Sequence, residues 1–179
     1  MIIGLVGEKL AGKDTAAEYL VKKYGGGHLR FSNVLDDILR ILNLPLSRRN
    51  EIDLGLGLRK IFGEHILVNA VIEKVKGINN QLVVVNGIRM DEDVFIKSLL
   101  GSKLVYITAP VELRFKRYQS RHEKPDDALM NFEQFKLQEQ ELTEVGIPDL
   151  GTKADFRIDN TGSVEELYKK IDEIINQLK

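Results

Sequence analysis

Gly7, Gly12 and Lys13 stand in the spacing G-x-x-x-x-G-K within the stretch GEKLAGKDT. Glycines so placed let consecutive backbone N–H groups turn inward around an anion, and a lysine opening the following helix reaches the outer phosphates of a nucleotide. The chemistry such a loop supports is phosphate binding and phosphoryl transfer, with Glu8, Lys9, Leu10 and Ala11 completing it. The next residue is Asp14, where a hydroxyl is expected, and the hydroxyl comes one place later at Thr15. An acid there complements a helix dipole by about 0.3–1 kcal/mol. Facing a triphosphate it repels, unless a cation stands between. Asp14 and Thr15 are therefore read as facing a magnesium ion carried largely by water.

Two elements must hold this loop. Ile2–Val6 is a short apolar run, as expected of a strand buried on both faces, and Ala16, Ala17, Leu20, Val21 and Tyr24 follow with helical spacing until Gly25-Gly26-Gly27. The alternation recurs. A second strand is expected around Leu29–Phe31, with Ser32 as N-cap of a helix carrying Val34, Leu35, Ile38, Leu39 and Leu42; further strands are expected at Leu82–Val85, Leu104–Thr108 and Phe156–Ile158. Helices are predicted over Asp91–Leu99, Val111–Arg121, Asn131–Val145 and Val164–Leu178, the last opening with Ser163 and Glu166 in capping-box spacing. Strands alternating with such helices imply right-handed crossovers and an α/β fold of three layers: a five-stranded parallel sheet with helices on both faces. The roughly fifty residues from 32 to 81 exceed one crossover and read as a helical insertion over one end of the sheet.

Composition sets the remaining bounds. A chain of 179 residues is expected to form a single domain, spanning 1–179. With 43% hydrophobic and 30% charged residues and a formal net charge of −1, it offers no electrostatic case for nucleic acid or an anionic membrane. Cysteine is absent, which excludes disulfides and thiolate chemistry and suits a reducing compartment. His28, His65 and His122 lack metal-ligand spacing. No run approaches a membrane span or precedes the loop as a signal peptide, so the chain is read as cytoplasmic.

On GEKLAGKDT, the chain resembles the nucleoside monophosphate kinase-like phosphate-loop family, and the GKDT ending is similar to its deoxynucleoside monophosphate kinase branch. VVVNGIRMDEDVF (83–95) resembles the family's third strand, and VYITAPVELRFKRYQSR (105–121) the strand and arginine-bearing helix shared with dephospho-coenzyme A kinases. The resemblance implies ATP and magnesium, the adenylate kinase-like phosphate-loop fold, an acceptor-binding insertion at 32–81 and a short lid at 114–127. Arg114, Arg117 and Arg121 share one helix face at i, i+3 and i+7; an isolated helix would simply present a solvated basic face. In this context Arg117 and Arg121 are expected to close over the phosphates, with Arg114 the weaker candidate. Arg89, beyond the third strand, would hold the acceptor's phosphate with its guanidinium fork; a surface pairing with Asp91 or Glu92 is the plainer reading. Asn86 departs from the family, which has aspartate there, and Asp14 is read as the relocated magnesium-associated acid.

The acceptor pocket is drawn from Ser32, Asp36, Arg40, Arg59 and Arg89, where Asp36 could orient a hydroxyl acceptor. Asn160, Thr161 and Gly162 would pass the nucleotide base, or merely turn the chain into its last helix. These readings converge on an ATP-dependent small-molecule kinase acting on a nucleoside or deoxynucleoside monophosphate or a close analogue, as monomer or homodimer. Two alternatives stand beside it: dephospho-coenzyme A as acceptor, and a nucleotide-binding switch that hydrolyses ATP and acts on a partner.

Overall fold

A computed structural model describes residues 1–79, 81–90, 101–120 and 130–179. The expected helix over 91–99, Arg121 and most of the expected lid lie outside the described residues. The strands are β1 (Ile2–Val6), β2 (Gly27–Arg30), β3 (Val83–Ile88), β4 (Lys103–Thr108) and β5 (Phe156–Asp159). They form one five-stranded sheet in the order β2-β3-β1-β4-β5, with every pairing parallel.

Apolar residues on both sides of each central strand explain the three layers. Ile3, Leu5, Val84, Val105 and Ile107 point to one face, against α1 (Lys13–Tyr24) and a C-terminal helix at Val164–Gln177. Val83, Val85, Ile88, Leu104 and Tyr106 point to the other, with α2 (Phe31–Ile41) and α4 (Ile66–Lys76) packed on them. Between these, α3 (Arg48–Phe62) buries only Gly55 and Arg59 and packs on α2 and α4. Two of the three helices between β2 and β3 thus cover a face of the sheet, and α3 is left to wall a cleft.

The remaining helices are α5 (Val111–Ser120), α6 (Phe132–Leu137), α7 (Ile147–Thr152) and α8, the C-terminal helix named above. Ser163 caps α8 as its sequence predicts, accepting from the Glu166 N–H at 3.2 Å. Other boundaries differ. The second strand ends at Arg30, and α2 starts one residue before Ser32 because the Arg30 N–H donates to Asn33 Oδ1 at 2.8 Å, closing the turn without the serine. The helix expected over Asn131–Val145 stops at Leu137, passes through a 3₁₀ turn at Gln138–Gln140 and gives way to α7, which has Pro148 in its first turn. A continuous helix would put Glu141 and Glu144 on one face and turn Glu139 away from it. Here Glu139 meets Arg114, while Glu141 and Glu144 both reach Arg48.

Candidate active site

The loop between β1 and α1 sits at the C-terminal ends of the strands, where open α/β sheets bind ligands. Its glycines are fixed by close approach as well as by backbone angle. A Cβ on Gly7 (φ 153°) would lie 2.0 Å from Ile107 O, and one on Gly12 (φ 110°) would lie 2.4 Å from Asn160 Nδ2. Leu10 takes a left-handed conformation at φ 63°, unusual for a side-chain-bearing residue.

Lys13 curls back into the loop, donating to Gly7 O and Glu8 O at 2.7 Å each. Burial, and secondarily the positive charge of Arg89, lower its pKa from 10.5 to about 7. Glu8 is tethered by the Tyr106 hydroxyl, and Lys9 donates to Gln138 Oε1 at 3.2 Å. Asp14 projects the other way, accepting from Asn86 Nδ2 at 2.8 Å and pairing with Arg30 at 3.1 Å. The Asn86 Oδ1 beside it is buried and accepts no hydrogen bond among the described residues. Asp14, with the orphaned Asn86 amide oxygen beside it and the half-buried Thr15 next in sequence, offers hard oxygen donors of the kind magnesium takes.

Besides a smaller cavity of about 140 Å³ at Glu8 and Lys9, two larger cavities flank the loop. One, of about 370 Å³, is lined by Gly12, Thr15, Arg117, Asn160 and Gly162, while Thr161 is exposed and outside its wall. The other, of about 270 Å³, is lined by Arg30, Ser32, Arg48, Arg59, Asn86 and Arg89, among others. Leu10, Lys13 and Asp14 line both. Of the acceptor candidates, Ser32, Arg59 and Arg89 are thereby brought together. Asp36 does not line the cavity, and Arg40 is on the surface, bonded to Asp37 at 3.0 Å. Arg40 is exposed, whereas Asp36, one helical turn before it, is half-buried with its Oδ1 out of solvent contact.

The arginine-bearing helix does not present a solvated face. Arg114 is buried, donating through Nε to Ala109 O at 2.8 Å and pairing with Glu139. Arg117 Nη1 donates to Leu10 O at 3.1 Å and Nη2 to Asn160 O at 2.9 Å. Arg89 meets the buried Glu144, which also binds Arg48 at 3.1 Å; Asp91 and Glu92, the pairing expected from the sequence, lie outside the described residues. Arg30, Arg48 and Glu144 carry no motif. Arg30 alone had a signal, its place at the end of a strand.

Comparison with known proteins follows the same lines. No family model matches the chain. It is 30% identical over 182 residues to a UPF0200/UPF0201 protein of Archaeoglobus fulgidus, covering 99% of this chain and 55% of that one. The chain thus spans about half the length of that relative. A UPF0200 protein of Saccharolobus solfataricus is 29% identical over 181 residues, with 99% and 93% covered. Among solved structures, shikimate kinase from Acinetobacter baumannii in complex with shikimate superposes with a TM-score of 0.61 at 22% identity, covering 99% of this chain and 94% of that one. Shikimate kinase from Bacteroides thetaiotaomicron gives 0.65 at 15% identity, with 99% and 98% covered. A gluconokinase from Sinorhizobium meliloti gives 0.58 at 14%, with 98% and 91% covered. The chain has the fold of the phosphate-loop small-molecule kinases.

Proposed function

We propose that this protein transfers a phosphoryl group from magnesium-ATP to a small anionic acceptor, a nucleoside or deoxynucleoside monophosphate or a close analogue. The observation that carries this reading is the pair of cavities joined at Leu10, Lys13 and Asp14. A phosphoryl group held there by Lys13 has room behind it for a nucleoside polyphosphate and room in front for the attacking oxygen, the in-line arrangement phosphoryl transfer requires. Bound at Asp14, Thr15 and Asn86, magnesium would supply positive charge against the phosphates.

Arg30, Arg48, Arg59 and Arg89 make the second cavity a receptor for an anion, and Phe31, Leu35 and Leu67 give it an apolar wall for the rest of the molecule. A phosphate acceptor is ionised near neutrality and needs no base, whereas an alcohol does. Asp36 lies outside the cavity, which favours a phosphate over an alcohol such as dephospho-coenzyme A. An acceptor cavity of this kind also supports a kinase over a switch.

The test is to incubate the protein with magnesium-ATP and a panel of ribo- and deoxynucleoside monophosphates, dephospho-coenzyme A, shikimate and gluconate, with Lys13→Ala as control. Phosphorylated product from a monophosphate, lost in the control, is expected. ADP release without any phosphorylated acceptor would overturn the reading in favour of a regulatory ATPase.

A further inference from the structure

The outer carbonyls of the phosphate loop are gripped by side chains from two other elements. Arg117 Nη1 donates to Leu10 O at 3.1 Å and more weakly to Ala11 O at 3.4 Å, while its Nη2 donates to Asn160 O at 2.9 Å. Asn160 is 6% exposed and donates its Nδ2 to Ala11 O at 2.8 Å. Its own N–H is held by Thr108 O at 2.7 Å, so the amide is anchored to β4 before it touches the loop. Gly12 admits this contact because it has no Cβ to strike Asn160 Nδ2.

In a trans peptide the carbonyl and the N–H that follows point in opposite directions, and the described residues contain no cis bond. Holding the Ala11 carbonyl on Asn160 therefore aims the Gly12 N–H the other way. Holding the Leu10 carbonyl does the same for Ala11, whose N–H meets Glu8 O at 3.2 Å. Something must also keep Leu10 at its positive φ, a conformation that costs about 1–2 kcal/mol for a side-chain-bearing residue. The Arg117 hydrogen bond on the Leu10 carbonyl fixes the peptide plane that follows and so contributes to holding that conformation.

We infer that Asn160 and Arg117 are positioning residues that preorganise the phosphate loop for the donor's phosphates, rather than groups that read the base or touch the transferring phosphoryl group. The inference rests on the donor-site reading above. Dipoles fixed before the ligand arrives need no reorganisation when it binds, and their loss is felt by every polyphosphate alike.

The experiment titrates the full chain, with magnesium present, against inorganic pyrophosphate, ADP and adenosine, comparing wild type with Asn160→Ala and Arg117→Lys. Both variants are expected to lose about tenfold in affinity for pyrophosphate and by the same factor for ADP, with adenosine unchanged. The pyrophosphate-induced shift of the Gly12 amide resonance should shrink in parallel. If ADP and adenosine weaken while pyrophosphate binds as before, the residues read the base and the inference is overturned. Should Asn160→Ala not fold, Arg117→Lys carries the test, because lysine keeps the charge and loses the fork that spans Leu10 and Asn160. Wild-type protein that binds neither pyrophosphate nor ADP refutes the donor site altogether; wild-type binding with both variants unaffected refutes the clamp alone.

Discussion

The two cavities beside the phosphate loop are built from different materials. The donor side is mostly backbone: glycines that admit neighbouring atoms, carbonyls that accept from Lys13, Arg117 and Asn160, and the start of α1. The acceptor side is mostly side chain, with guanidinium groups arriving from β2, α3 and the end of β3 and two of them gathered on Glu144. Backbone sites are encoded by short contiguous stretches. Side-chain sites are encoded by residues whose only common property is where the fold delivers them. Damage to the donor side should therefore show first as lost phosphate binding, and damage to the acceptor side first as lost acceptor affinity, with a stability cost where the arginine removed partners the buried Glu144.

The largest effect expected is on the shared lysine. Lys13→Ala should lower phosphoryl transfer about a thousandfold, read as product per unit time at saturating substrates. Gly7→Ala should destabilise the protein by about 3 kcal/mol, because its Cβ would collide with Ile107 O at 2.0 Å. Urea unfolding would show it, and Gly25→Ala, with φ 66° and open space around its Cβ, should cost about 1 kcal/mol. Similar losses at both positions would contradict the packing argument.

On the acceptor side, Arg48→Ala and Arg89→Ala should each raise the acceptor KM about 10- to 100-fold while leaving ADP affinity near wild type, and each should lower the urea midpoint because buried Glu144 loses one of its two arginines. A matching loss of ADP affinity would erase the division between the two sides. Lysine titration offers a smaller test. With the loop empty, Lys13 is half neutral near pH 7, and bound phosphate favours its charged form, so donor binding at pH 8 should take up a proton and weaken up to about tenfold per pH unit above 7. Calorimetry in buffers of different ionisation enthalpy would detect the uptake. The same depression means the empty protein gains stability as pH rises from about 7 toward 10.5, since the folded state disfavours the charged lysine. Least of all, Arg40→Ala should leave the acceptor KM unchanged, because its side chain pairs with Asp37 on the surface.

What could be read in the residues follows the same division. Strand order needs contacts, but the existence of the strands and their two buried faces is written in runs such as Ile2–Val6 and Leu104–Thr108, and the loop in GEKLAGKDT. The cleft wall was less legible. Arg40 and Asp36 were chosen by distance along α2, yet only burial decides which helix face looks inward. Arg48 follows an ordinary N-cap serine, and Glu144 lies in a stretch whose acids read as a solvated helix until Arg48, Arg89 and Arg114 are placed beside it. Long-range charge pairing of this sort leaves no periodicity to detect.

Leu10 lines both cavities and, among the described residues, is the apolar one of the three that do. The competitor for an activated phosphoryl group is water, present at a concentration no metabolite approaches. Under the proposed transfer, the leucine would leave one wall of the crossing between the cavities, beside Lys13 and Asp14, with no hydrogen-bonding side chain for water. Held in place by its loop, such a side chain would slow hydrolysis of bound ATP when no acceptor is present.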